Sequence, residues 1–330
     1  MIVSYDTTMA SPPFEITPLV LSLSSQITRL VGLYEGLLSP LPQPQLRKKN
    51  SVRTIQSSLA IEGNTLSLEQ VTDVLEGHRV LGSPSEIREV KNAIRVYDKI
   101  SSISPKNEKH FLKAHGQLMQ GLIEDNGDYR SKNVGVVTGK GVAHVAPPFR
   151  QIPRLMKELF EFLKNKELHP LIISSVFHYE VEFIHPFSDG NGRMGRLWQH
   201  AILAKYHPLF EYVPMESVIK EKQKRYYDVL GECDSKGDST SFVEFALQAL
   251  LEALEIFLSE LKPAPLSAAD RMEKARSHFG KTSFSRKDYL EMFKTISTAT
   301  ASRDLQKGVK GKVLKKSGER ALAKYEFVQK

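Results

Sequence analysis

His185-Pro186-Phe187-Ser188-Asp189-Gly190-Asn191-Gly192-Arg193-Met194-Gly195-Arg196 lies between two stretches with helical apolar patterning, Pro170 to about Ile184 and Arg193 to Tyr206. The segment therefore occupies a helix-loop-helix corner. Gly190-Asn191-Gly192 stands immediately before the second helix, so successive backbone N–H groups, freed by permissive glycines, can converge on one anion. The positive end of the helix dipole adds to that attraction. Arg193 and Arg196 are three apart, hence neighbours on the helix, and both can reach a polyphosphate. Asp189 offers a hard carboxylate oxygen of the kind Mg²⁺ takes alongside phosphates and waters. His185, four residues earlier, titrates in the range suited to a general base near neutral pH.

Outward from this corner the chain reads as helix almost throughout. Residues 1 to about 15, with Ser11-Pro12-Pro13, read as an extended arm, and a helix follows from about Thr17 to Leu38. Pro40, Pro42 and Pro44 mark a rigid linker before a helix from about Leu46 to Glu62, which stops at Gly63-Asn64. Ser67 with Gln70 is a capping-box signature for the next helix, ending near Gly77. Further helices are expected over 85–100, 107–122, 151–164, 215–232 and 241–261. The exception is 129–148, where Val134, Val136 and Val142 to Val145 flank Thr138-Gly139-Lys140-Gly141 and predict an exposed β-hairpin closed by Pro147-Pro148. Lys262-Pro263-Ala264-Pro265 reads as an interdomain linker. His178 and His200, on the helices flanking the corner, read as structural.

Composition narrows the class. With 41% hydrophobic and 25% charged residues over 330, the chain is an ordinary globular sequence of two or three domains. A single cysteine, Cys233, excludes an intramolecular disulfide or a cysteine-rich metal site, and the absence of a signal-peptide pattern leads us to expect a cytoplasmic protein. The longest apolar stretch near the start, Ile16 to Leu23, falls well short of the roughly 20 residues of a membrane span, so no membrane insertion is expected.

The twelve-residue segment resembles the Fic motif, His-Pro-Phe-x-Asp-Gly-Asn-Gly-Arg-x-x-Arg, at every defined position. The likeness extends over about Leu46 to Leu250, where Tyr129-Arg130 and the hairpin look like the family's flap, and Tyr226-Tyr227-Asp228 looks like its helix after the motif. The resemblance implies an all-α Fic helical bundle with a β-hairpin flap, divided as an N-terminal arm and helix (1–45) and a catalytic core (46–262) holding an inhibitory helix (46–64) and the flap (129–148). It implies a protein adenylyltransferase with ATP as substrate and Mg²⁺ as cofactor. His185 would be the general base and Asp189 the Mg²⁺ ligand. The amides of Gly190 to Gly192, together with Asn191, would cradle the phosphates, Arg193 and Arg196 would neutralise them, and Tyr226 and Tyr227 would lie on the adenine side. The flap would align a Ser, Thr or Tyr of a target protein through strand-edge hydrogen bonds.

Ser58-Leu59-Ala60-Ile61-Glu62-Gly63-Asn64 carries the second signal. Glu62 stands at the negative end of its helix, an unfavourable place unless an arginine compensates, and Ser58 shares its face. The spacing resembles the inhibitory helix of Fic proteins with an N-terminal brake, which implies that Glu62 pairs with Arg196 and misplaces ATP. Members with such a brake are often homodimers. In some members this glutamate also helps remove AMP, so net de-AMPylation is an alternative activity, and a surface Glu closing a helix is the plainer one.

Residues 263–330 read as a separate small unit. A helix from Ser285, a Thr/Ser-rich turn, a helix over 298–307 and a hairpin around 315–320 resemble a winged helix-turn-helix. Residues 297–330 carry nine Lys or Arg against three Asp or Glu, so +6 of the net +8 is concentrated in a tenth of the chain. That is the electrostatic footprint of a DNA-binding surface, with Arg303 and Lys307 toward the groove. Two readings stay open for the unit, DNA binding and plain packing on a neighbour or a second subunit. A DNA-binding regulator with a nucleotide-sensing Fic core is the third functional alternative.

Overall fold

A computed structural model of the chain describes residues 12–36, 42–138, 141–261, 266–294, 296–319 and 323–328 and, for residues 136–138 and 141–144, the backbone alone. The beginning of the predicted arm, part of the proline linker, the tip of the hairpin and most of the interdomain linker lie outside the described residues. The chain divides into two compact units, with the main division in sequence between residues 262 and 263.

Among the described residues, the regular structure of the larger unit is helical apart from one hairpin. Its helices are α1 (Pro18–Gly36), α2 (Pro44–Ile61), α3 (Leu68–Glu76), α4 (Pro84–Tyr97), α5 (Glu108–Leu118), α6 (Ile152–Phe162), α7 (Pro170–Ile184), α8 (Asn191–Tyr206), α9 (Met215–Glu221), α10 (Gln223–Lys236) and α11 (Thr240–Glu260). Between α5 and α6, β1 (Gly135–Thr138) and β2 (Gly141–Val145) pair antiparallel with a register shift at Val136/Val137. Several starts and stops follow from caps. Pro44 opens α2 rather than belonging to the linker, because its missing N–H costs nothing at a first helical position. The capping box of Ser67 and Gln70 is formed, and Gly77 closes α3 in the left-handed region. The helix expected over 215–232 is instead two, α9 and α10, broken at Lys222.

Helices α7 and α8 form the centre. Nearly every residue of each is buried, so neither shows the one-sided stripe of a surface helix. Phe187, from the loop that joins them, is fully buried among Phe111, His115 and Tyr129, and Phe111 also meets Trp198 edge-on at 5.0 Å. Burial of each such ring stabilises by about 1.5–3 kcal/mol, which pins the loop between α7 and α8 to the core. The N-terminal segment joins the same body. Pro13 O accepts the Ser239 N–H at 2.9 Å, and Phe14 sets its ring edge on Phe162.

The smaller unit runs α12 (Ala268–Phe279), β3 (Phe284–Ser285), α13 (Arg286–Met292), α14 (Thr298–Lys310), β4 (Leu314–Ser317) and β5 (Lys324–Phe327). Its sheet has the order β3-β5-β4, antiparallel throughout. The hairpin expected around 315–320 is thus β4 and β5, and β5 lies further along the chain than the alternation suggested. Ala275, Phe284, Tyr289, Phe293, Ala301, Leu305, Leu314 and Phe327 make a core of its own. Arg271 and Asp304 form a buried ion pair beneath α14 at 2.7 Å. The second helix expected here extends to Lys310, and Gly308 leaves room for Leu314 to close against it.

Candidate active site

Helix α7 ends at His185, whose backbone is left-handed at φ 51°, an uncommon conformation for a residue with a side chain. The chain turns there, and its imidazole Nδ1 lies 3.3 Å from the Glu182 carbonyl. A carbonyl only accepts, so Nδ1 carries the proton and the lone pair of the neutral ring sits on Nε2. That is the arrangement a base needs. Arg130 fixes the turn from beneath. It is 3% exposed and donates from Nε to His185 O (2.7 Å), from Nη1 to Lys132 O (2.7 Å) and from Nη2 to Pro147 O (2.6 Å), while its N–H donates to Pro186 O. Burial lowers its pKa, and carbonyls, including those at the negative end of α7, supply the compensation.

The loop then closes on itself. Asn191 Oδ1 accepts the Phe187 N–H (2.9 Å), and its Nδ2 donates to Phe187 O (3.0 Å). The ring of His115 stacks on Phe187 with centroids 3.6 Å apart. Its Nδ1 accepts from Gly127 N–H, so Nε2 must donate to Asp189 O at 3.0 Å. Burial holds the His115 pKa below the usual histidine value, which keeps that neutral tautomer.

Helix α8 starts at Asn191 rather than at Arg193, because Gly190 takes φ 87° and serves as N-cap. This redistributes the expected anion contacts. The Gly190 N–H is taken by Asp189 Oδ1 (2.6 Å), and the Asn191 carboxamide is occupied by Phe187. The donors open to an anion are the amides of Asn191, Gly192 and Arg193 in the first helical turn. A methyl at Gly192 would press on Glu62 Oε1 and lie 3.2 Å from both Arg196 Nη1 and Glu182 Oε1, so glycine here lets these three side chains close over the helix start.

Both motif arginines are buried and held by acids. Arg193 pairs with Glu89 of α4 and, at 2.8 Å, with Asp189. Arg196 donates from Nη2 to Glu62 Oε1 (2.7 Å) and Ser58 O (3.0 Å) and from Nε to Ser58 Oγ (3.1 Å). The structure thus brings Ser58 and Glu62 onto Arg196, the pairing that the family resemblance implies. Arg193 Nε and Arg196 Nη1 are buried with no partner. Asn64 Nδ2 donates to Glu89 at 2.7 Å, so the turn Glu62-Gly63-Asn64 reaches both arginines, one directly and one through Glu89. Asp189 is 56% exposed, with one oxygen taken by Gly190 and Arg193. A single exposed carboxylate fits Mg²⁺ held chiefly by substrate phosphates and water. Among the described residues, the group of three acids and histidines close enough to share an ion is Asp73, Glu76 and His78, not Asp189.

The tyrosines separate. Tyr226 is 1% exposed, and its hydroxyl lies between Glu182 Oε1 (2.9 Å) and His178 Nε2 (3.1 Å), so its polar end belongs to the base of the site rather than to an adenine face. Tyr227 is 47% exposed and donates to Ile61 O. His178 and His200 are hydrogen-bonded inside the core. Sequence reasoning missed Glu89, Glu182 and His115, which carry no local spacing signal, and it placed Arg130 only as a flap marker.

The fold and this corner define a helical protein in which a left-handed histidine, a helix N-terminus and two buried arginines come together. The Fic/DOC family profile matches residues 105–203. A solved Fic family protein from Desulfovibrio desulfuricans is 40% identical, with a TM-score of 0.72, over 97% of this chain and 99% of that one. The chain belongs to the Fic family. Curated proteins named protein adenylyltransferase Fic, from Aedes aegypti and Culex quinquefasciatus, are each 30% identical over 68% of this chain. The chain spans just under half of their length, 46% of each. A Fic domain protein from Bacteroides thetaiotaomicron, 21% identical with a TM-score of 0.61 over 76% of this chain and all of that one, shares the fold. Among the described residues, no helix is long and apolar enough to cross a membrane.

Proposed function

We propose that this chain is a protein adenylyltransferase that moves AMP from ATP to a Ser, Thr or Tyr hydroxyl of a target protein or of itself, and that its resting form is held back by Glu62. The observation that carries the reading is one corner: a histidine with Nε2 as its lone-pair nitrogen beside three uncommitted helix amides and two arginines. His185 Nε2 takes the hydroxyl proton, and the oxygen bonds to the α-phosphorus. The bond from that phosphorus to the bridging oxygen breaks, so pyrophosphate leaves and AMP stays on the protein. The amides of Asn191, Gly192 and Arg193 hold the phosphates, and Arg196 neutralises the far end. Asp189 would hold Mg²⁺, which when bound supplies further charge neutralisation. The outer edge of the two-stranded flap suits backbone pairing with an extended target segment.

The grip of Ser58 and Glu62 on Arg196 supports the brake, since a γ-phosphate must displace a carboxylate to reach the guanidinium. Purified protein with Mg²⁺ and α-³²P-ATP tests both parts. Label is expected in Glu62→Gly, weakly in wild type, and not in Glu62→Gly/His185→Ala. Absence of label in Glu62→Gly, or its survival in the double variant, overturns the reading. Loss of AMP from pre-labelled protein only when Glu62 is present would instead favour removal as the net activity.

The order helix-strand-helix-helix-strand-strand of the smaller unit supports a winged helix, and Arg303, Lys307 and Lys310 are exposed along α14. We read it as a DNA-binding unit. Its duplex affinity is expected to fall steeply with salt, and an unchanged affinity in Arg303→Ala/Lys307→Ala counts against that.

A further inference from the structure

Glu182 stands one turn before His185, and the reaction just described makes no use of it. Its carboxyl borders the space above Gly192 together with Glu62 of α2 and Arg196 of α8. From α10 it faces the Tyr226 hydroxyl, with Tyr227 and Asp234 also within electrostatic reach, and on its own helix it faces His178 at 3.8 Å. Two acids, Glu62 and Glu182, thus border one guanidinium, of which Nη1 has no hydrogen-bond partner.

The hydrogen-bond chain behind Glu182 has a direction. Ser175 Oγ spends its only proton on Leu171 O (2.9 Å), so it accepts from Gln199 Nε2 (3.3 Å). Gln199 therefore presents Oε1 to His178, whose Nδ1–H donates to it at 2.7 Å. Burial pushes the His178 pKa down to about 3, so the ring is neutral and its Nε2 is an acceptor. The donor in reach is the Tyr226 hydroxyl, 3.1 Å away. Tyr226 has one proton for two neighbours. If it satisfies His178, its oxygen can bond Glu182 at 2.9 Å only when Glu182 supplies the proton. The chain is complete with Glu182 as a neutral acid, and it is one proton short with Glu182 as a carboxylate. Burial, followed by the charge of Glu62, pushes the Glu182 pKa up to about 7, in agreement.

We propose that Glu182 is a proton-carrying positioning residue for Arg196, neutral while Glu62 holds the guanidinium and ionised against Arg196 Nη1 once Glu62 withdraws. The inference rests on the reading of Glu62 as a brake. When Glu62 leaves, a buried cation loses its counter-charge. Glu182 then releases its proton to water through its 15% exposed edge and keeps the arginine oriented for phosphate. Release of the brake therefore gives off one proton. Between the ordinary carboxylate range and about pH 7, release is favoured by up to tenfold per pH unit as pH rises, and above that window it is level. Acidification tightens the brake.

Two measurements test this. The ratio of self-labelling rates, Glu62→Gly over wild type, cancels the common dependence on His185. It is expected to fall about tenfold per unit from pH 5.5 to 6.5. In a Glu182→Gln background, whose amide donates to Tyr226 as the acid does, the ratio is expected to be flat. Equal slopes in the two backgrounds, or no slope in either, overturn the proposal. Independently of any transfer activity, ¹³C NMR of δ-labelled glutamate is expected to show a carboxyl signal, absent in Glu182→Gln, that titrates near 7 and moves down in Glu62→Gly. Titration in the ordinary carboxylate range in wild type, or no movement in Glu62→Gly, also overturns it. If Glu62→Gly transfers no AMP at any pH, the adenylyltransferase reading fails and the NMR titration still decides the role of Glu182.

Discussion

Replacing Arg130 with Met keeps most of the side chain's volume and removes the cation that ties the base of the hairpin to the turn at His185. Four carbonyls, of Lys132, Pro147, Ile184 and His185, lose this donor. A stranded buried carbonyl costs about 1–3 kcal/mol. Against that stands relief of the cost of burying a guanidinium with no carboxylate among its hydrogen-bond partners, a cost of several kcal/mol per ion. The balance is a modest destabilisation, about 1–3 kcal/mol by urea unfolding. Activity should suffer far more. The His185 carbonyl accepts from Arg130 at a backbone held at φ 51°, and a shift of about 1 Å in a reacting group costs on the order of a hundredfold in rate. In a Glu62→Gly background, where the brake is absent, Arg130→Met is expected to lower the initial rate of AMP incorporation about a hundredfold. Arg130→Lys, with one point charge for carbonyls on two sides, should recover little of it. A folded Arg130→Met protein whose rate stays within about threefold of its parent would refute the argument that Arg130 positions His185.

Asn191→Ala strands both polar groups of buried Phe187, so unfolding free energy should fall by about 2–4 kcal/mol, measured in urea, with loss of labelling in the Glu62→Gly background. Ser58→Ala removes one of the three hydrogen bonds Arg196 makes to α2 and Glu62, worth about 1 kcal/mol, and should raise self-labelling roughly fivefold while Glu62→Gly raises it more. His178 has a folded pKa well below its unfolded value, so the unfolded chain binds the extra proton as pH falls below about 6.5. The stability it contributes is complete above that pH and is lost toward pH 3. Comparing unfolding free energies of wild type and His178→Gln between pH 6 and 4 should show slopes differing by about 1.4 kcal/mol per pH unit.

Much of the site was legible because its parts are contiguous. His185 to Arg196 spans twelve residues, and Ser58 and Glu62 are separated by one helical turn, so local geometry alone places them on a common face. The all-α frame was legible for the same reason. What escaped depends on distant segments meeting. Arg193 finds Glu89 across 104 positions, and no local period announces that encounter. Glu182 looks like any acid on a helix until the packing of α2, α8 and α10 shows what encloses it. The carboxamide of Asn191, read as a phosphate ligand, is committed to Phe187 by a tight turn that only the folded loop reveals. The break between α9 and α10 at Lys222 likewise carries no glycine or proline at the decisive residue.

The turn Glu62-Gly63-Asn64 places a competitor for Arg196 on the same chain as the arginine itself. A group tethered so closely acts at an effective concentration of about millimolar or higher, and that concentration never falls. A nucleotide in solution meets this rival on unequal terms, because doubling the supply of ATP doubles only one side of the contest. On the proposed function, the tether raises the nucleotide concentration needed to win Arg196. Any event that shifts residues 62–64 by a few ångströms lowers it again, since it loosens the hold on Arg196 and the Asn64 support of Glu89 in the same movement.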